Sequence, residues 1–280
     1  MRKAFAAFLV AGLVGLASAA WAEPLKVFVT VPPQKYVVQA VGGPRVVVSV
    51  LVPPGTDPHI YEPRPRQMVE LSRAAVYFAI GYPFERAWLP KVSKDLPRLS
   101  IVRMEAGLER TPAPGEGPGE KDPHVWTSPP LLRRMARNTA QALGRVDPAH
   151  AQDYAAGQAR LEADLDRLDA DLKQVFQGLE GKSFMVFHPA WGYFAKAYGL
   201  KQIAVEVEGK EPKPAQLKQL IEQGRAMGSR VVLVQPQFSK RSAETVAQAL
   251  GGRVVVADPL AEDLPDNLRR VAEEIRQALR

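Results

Sequence analysis

The chain of 280 residues holds four histidines, and two of them follow the same Asp-Pro pair, in "DPHIYEP" at 57–63 and "DPHVW" at 122–126. Proline fixes its own φ and biases the residue before it toward extended structure, so each triplet presents an imidazole from a stiffened backbone. A selective metal site needs that rigidity in its donors. A third histidine, His188, ends the apolar run "SFMVFH" just before Pro189, and Asp258 ends "RVVVAD" just before Pro259. His59, His124, His188 and Asp258 make three imidazoles and one carboxylate, a donor set suited to tetrahedral Zn²⁺. Mn²⁺ and Fe²⁺ are served better by more carboxylate. A single histidine at a strand end is usually structural or solvated; the repeated triplet together with His188 turns the reading toward metal. Asp57 and Asp122 read as turn formers before they read as partners that orient the imidazoles. The fourth histidine, His150 in "DPAHAQ", reads as a surface residue.

Those side chains must be held by the elements around them. Short β-branched runs alternate with amphipathic stretches, which predicts βα units and a mainly parallel sheet. Strands are expected at 25–31, 46–52, 75–80 and 99–104, and again at 183–188, 201–207, 230–235 and 253–258. Helices are expected near 33–41 and 65–73, and near 190–198, 214–227, 240–250 and 265–279. The fold class is therefore α/β, with two four-stranded lobes. Ligands of open α/β sheets bind beyond the carboxyl ends of the strands, where His188 and Asp258 fall and where the turn "PPGTDP" leads to His59. Between the lobes, Leu161, Leu165, Leu168, Leu172 and Val175 recur at helical spacing with Asp and Arg opposite them. A helix over 149–178 would be about 45 Å long and would join the lobes as a rigid spine. The segment "GLERTPAPGEGPGEKD" at 107–122 lacks apolar periodicity and reads as a mobile surface loop.

The opening "MRKAFAAFLVAGLVGLASAAWAEP" has the charged start, apolar run and small-x-small ending of a secretory signal peptide, cleaved after Ala22. The expected organisation is a signal at 1–22, an N-terminal lobe at 23–148, the connecting helix at 149–178 and a C-terminal lobe at 179–280. There is no cysteine, so disulfides, thiolate chemistry and a lipid-bearing cysteine are excluded. A free periplasmic monomer, without membrane insertion once the signal is gone, is the expectation. The formal charge of +7 drops to +5 without residues 1–22, which carry Arg2 and Lys3 and no acid. Basic residues are spread among acids, so a solvated surface is read here and not a nucleic-acid partner.

The motifs and their order resemble the cluster A-I solute-binding proteins, the zinc- and manganese-type components that feed ABC importers. "LVPPGTDPHIYEPRPRQMVELSRAAVYFAIG" is similar to the family's first ligand region, "DPHVWTSP" to its second, "FMVFHPAWGYFAKAYGL" to its third and "VVLVQPQFSKRSAETVAQALGGRVVVADPL" to its closing strand, helix and strand. The resemblance spans the mature chain. It implies His59, His124 and His188 as direct ligands, Asp258 as the fourth, metal in a cleft between two lobes, and a permease as partner. Manganese members commonly have a carboxylate at the position of His188, so histidine there favours zinc. Many zinc members carry a His-rich acidic loop before the second motif, whereas 107–122 contains no histidine. The competing class is a secreted zinc hydrolase, for which Glu62, Glu206 or Glu208 would have to serve as general base. No H-E-x-x-H motif supports it. A surface adhesin of the same fold is disfavoured by the missing anchoring cysteine.

Overall fold

The structure, a computed structural model, describes residues 23–113, 119–206, 210–238 and 240–279. The expected signal peptide, residues 114–118 of the loop, and Val207 and Glu208 lie outside these residues.

Strands β1 (Leu25–Val29), β2 (Val46–Val50), β3 (Val76–Ala79) and β4 (Ser100–Arg103) form one sheet in the order β2-β1-β3-β4. Strands β5 (Ser183–Val186), β6 (Lys201–Ala204), β7 (Val231–Val234) and β8 (Arg253–Val256) form a second in the order β6-β5-β7-β8. Every pairing is parallel, and all eight strands fall inside the stretches that the sequence predicts. β3, β5 and β7 are buried along their whole length, as continuous apolar strands must be when helices cover both faces. The strand order reverses between β1 and β3 and again between β5 and β7. Each reversal opens a crevice at the carboxyl edge of its sheet.

The helices are α1 (Pro32–Gly42), α2 (Pro65–Leu71), α3 (Pro83–Asp95), α4 (Pro129–Val146), α5 (Ala151–Phe176), α6 (Gly192–Ala197), α7 (Pro214–Ala226), α8 (Arg241–Ala249) and α9 (Leu264–Leu279). Two of them, α3 and α4, go beyond the elements expected from sequence. Each begins on proline at its first turn, where the missing N–H costs nothing, and α3 carries a further proline, Pro90, inside. Proline-rich starts mask helical periodicity, yet α4 buries Leu132, Met135, Ala136, Thr139, Ala140 and Leu143 at spacings of three and four.

The connecting helix α5 has 26 residues, about 39 Å at 1.5 Å per residue, and buries Leu161, Leu165, Leu168 and Leu172 as predicted. It does not run alone. α4 folds back along it through a tight turn at Asp147, and the pairs Arg133–Asp166 and Arg137–Glu162 mark an antiparallel register. α1 and α9 also pack on α5, one from each lobe. At Gly157 the contact with α1 is so close that a Cβ would stand 2.1 Å from the Val41 carbonyl oxygen. The link between lobes is therefore a helical hairpin clasped from both sides.

The flanks of the 107–122 segment are more ordered than the sequence suggests. Pro112 and Lys121 form an antiparallel bridge, Ala113 N donates to Glu120 O (3.0 Å), and Asp122 N donates to Thr111 O (3.0 Å). The Tyr193 hydroxyl, from α6 of the C-terminal lobe, accepts from Thr111 N (3.1 Å) and donates to Asp122 O (3.0 Å).

Candidate metal centre

His59 lies in a short 3-10 turn, Pro58–Ile60, after the loop that leaves β2. Asp57 caps this turn, its Oδ1 accepting from His59 N at 2.9 Å, which is the role read from sequence. His124 stands at the start of a second 3-10 turn, Val125–Thr127, with Asp122 Oδ1 accepting from its backbone N at 2.9 Å. The same oxygen is 2.7 Å from His124 Nδ1, so Asp122 orients the ring as well as the turn. The turn role read first from sequence and the orienting role read second are thus both present at Asp122. His188 follows β5 and is clamped by buried Gln235, whose Oε1 accepts from His188 N (3.3 Å) and whose Nε2 donates to His188 O (2.8 Å).

The three rings converge. Their centroids are 5.4 Å apart for His59–His124, 4.8 Å for His59–His188 and 5.2 Å for His124–His188, and one nitrogen from each lies within 4.8 Å of the others. His124 and His188 are buried and His59 partly so. Glu206, at the end of β6, places Oε1 2.8 Å from His188 Nδ1. A carboxylate can only accept, so His124 and His188 each carry their proton on Nδ1 and turn the lone pair of Nε2 to the centre. His188 Nε2 is buried with no hydrogen-bond partner among the described residues. An orphaned buried acceptor of this kind costs about 1–3 kcal/mol unless something fills its lone pair.

Burial pushes the pKa of His124 down to about 4, with Asp122 pulling upward and the neighbouring His188 and His59 downward. The ring is therefore neutral at physiological pH, the form that ligates metal. The cavity between the rings has a volume of about 10 Å³, room for a single ion or water and for no organic molecule. Its wall includes Tyr82, Gln237, Phe238 and Leu260. Tyr82 is set at the carboxyl end of β3 by buried Glu85, which accepts from the backbone N of Ile80 (3.1 Å), Gly81 (2.5 Å) and Tyr82 (3.0 Å). Gly81 adopts φ +94°, a conformation that a side chain would strain.

The structure brings His59, His124 and His188 together and does not bring Asp258 into their group. Asp258 closes the turn after β8, its Oδ1 accepting from Leu260 N (2.9 Å) and from Gln237 Nε2 (3.3 Å). His150 lies away from the centre at the start of α5, paired through Nδ1 with Asp147 at 2.7 Å and half-buried where a surface position was expected. Of the acids considered as a catalytic base, Glu62 is exposed and absent from the cavity wall, and Glu206 is engaged with His188. The orienting role of Glu206 was the main feature missed in the sequence. Its signal was an acid at the carboxyl end of the strand next to the one that carries His188.

Two like α/β lobes, clasped by a helical hairpin around an ion-sized, imidazole-lined cavity, define a bilobed metal-binding protein of the substrate-capturing kind. Residues 27–278 match the family model of the zinc-uptake complex component A, periplasmic (ZnuA), and the chain belongs to that family. The high-affinity zinc uptake system protein ZnuA of Bacillus subtilis (strain 168) is 27% identical over 232 residues, 76% of this chain and 71% of that protein. The manganese ABC transporter substrate-binding lipoprotein PsaA of Streptococcus pneumoniae is 29% identical over 254 residues, 86% of this chain and 81% of that one. Among solved structures, a crystal structure of ZnuA aligns with a TM-score of 0.87 at 40% identity, covering 92% of this chain and 100% of that chain. The two-lobed α/β fold and the place of the chain among metal-binding components of ABC importers are thereby established. No helix among the described residues is long and apolar enough to cross a membrane.

Proposed function

We propose that this protein captures Zn²⁺ in the periplasm and delivers it to the permease of an inner-membrane ABC importer. The convergence of three imidazoles on a cavity of about 10 Å³ carries this reading. His59, His124 and His188 are the ligands. Neutral nitrogen donors, two of them backed by carboxylates, suit Zn²⁺ better than Mn²⁺, which takes more oxygen and more ligands. Asp258 supplies the fourth donor by turning its carboxylate off the Leu260 turn when metal arrives. Residues 1–22 direct export and are removed. The lobes at 23–148 and 179–280 then hold the ion between them as a monomer, with 149–178 limiting their movement.

Titration against a chromophoric chelator tests the ligand set. His59→Ala, His124→Ala and His188→Ala each lower Zn²⁺ affinity by orders of magnitude, and Asp258→Ala by about tenfold or more. An unchanged affinity removes the residue concerned from the shell. Elemental analysis of protein purified without added metal, followed by Zn²⁺/Mn²⁺ competition, tests the choice of ion. Preferential retention of manganese would overturn the zinc reading.

A further inference from the structure

Each of the three imidazoles has its own aromatic neighbour. Tyr82 meets His59 edge-on at 5.0 Å, Trp126 meets His124 at 5.3 Å, and Phe238 stacks on His188 at 5.1 Å with the planes 24° apart. Tyr82 and Trp126 are fully buried in the N-terminal half, whereas Phe238 is only partly buried and comes from the loop after β7 in the C-terminal lobe. Phe238 and Tyr82 both wall the cavity. Beside Phe238, both ends of the Gln235 amide hold the His188 backbone and Gln237 Nε2 reaches Asp258. A water entering past Phe238 would add a ligand to the three histidines and Asp258, and a cavity of about 10 Å³ admits one.

We propose that Phe238 determines metal specificity by closing the exposed side of the centre, which holds the coordination number near four and so excludes ions that need a six-ligand shell. The inference rests on the reading of the three histidines as ligands. A Zn²⁺ ion loses nothing in such a shell, because it has no geometric preference from its d-electrons and is satisfied by four donors. An Mn²⁺ ion, with its preference for six mainly oxygen donors, would be left short of its full shell. The stacked ring also fixes the plane of His188, adding to the restraint from Glu206 on Nδ1.

The test compares the intact protein with Phe238→Ala and Phe238→Leu, each stripped with chelator and reloaded with Co²⁺, Zn²⁺ or Mn²⁺. Four-coordinate Co²⁺ absorbs strongly in the visible and six-coordinate Co²⁺ weakly, so the spectrum reads coordination number directly. The expected result is a strongly absorbing wild type and a several-fold weaker band in Phe238→Ala. The preference for Zn²⁺ over Mn²⁺ should fall at least tenfold in that variant, and Phe238→Leu should restore most of both. A Phe238→Ala protein that keeps the wild-type band and the wild-type preference overturns the proposal, as does a variant that loses all metals equally with no spectral change. A weakly absorbing wild type overturns it too. Failure of the ligand reading is seen separately, as Co²⁺ spectra that His59→Ala, His124→Ala and His188→Ala leave unaltered.

Discussion

Asp122, from within the same triplet, and Glu206, from a neighbouring strand, fix the tautomer and the ring plane of His124 and His188. Asp122→Asn and Glu206→Gln should each weaken Zn²⁺ binding by about 10–100-fold, less than loss of a histidine and more than loss of a surface acid. Competition titration against a calibrated chelator measures this, and a change below twofold would show the carboxylates to be structural only. Burial of His124 has its own consequence in the metal-free protein. Its folded pKa is about 4 against 6.5 in the open chain, so between those values the unfolded state binds a proton that the folded state refuses. The resulting stability is complete above about pH 6.5 and is lost as pH falls toward 4. Urea midpoints of the apo protein at pH 7 and pH 4.5 should differ more for wild type than for His124→Asn; equal losses would mean that the buried imidazole is not what titrates. The convergence of His59, His124 and His188 was legible in the sequence because a repeated triplet and a histidine at the end of an apolar strand are one-dimensional signals. The role of Glu206 was not, since it depends on β6 lying beside β5, and Asp258 shows the converse: its strand-end position was read correctly, but only the fold reveals the turn that holds its carboxylate.

At the level of elements, all eight strands were legible because β-branched runs bounded by turns have few other readings. The helical hairpin was half legible. The leucine spacing of α5 stands out, whereas α4 hides behind Pro129, Pro130 and the Arg133-Arg134 pair, although its buried face repeats as regularly. The ribbon at 111–113 and 119–122 was not legible at all, since what orders it is a hydroxyl from α6, more than seventy residues away. Close packing of α5 on α1 makes Gly157 the test of the clasp around the hairpin. Gly157→Ala drives a methyl against the Val41 carbonyl and should cost about 1–3 kcal/mol, read as a lower urea midpoint with an unchanged slope. Wild-type stability in that variant would mean that α1 and α5 separate freely.

For the whole molecule, α5 touches both α1 and α9, so the lobes share one rigid support and a wide hinge swing is disfavoured. Small-angle scattering should give the same radius of gyration with and without Zn²⁺, while free metal at a hundred times Kd stabilises the fold by about 2.7 kcal/mol. A clear compaction on loading would contradict the clasped hairpin. One contact bears on how such a molecule comes apart. His124 belongs by sequence to the N-terminal lobe, yet the Tyr193 hydroxyl grips the strand that leads into it, and the Trp126 indole just beyond it donates to Pro259 O at 2.7 Å. Both of those anchors are C-terminal. The border that a protease would find along the chain is thus not the border that a pull would find: unless those bonds break first, drawing the lobes apart leaves His124 with His188 and carries His59 away.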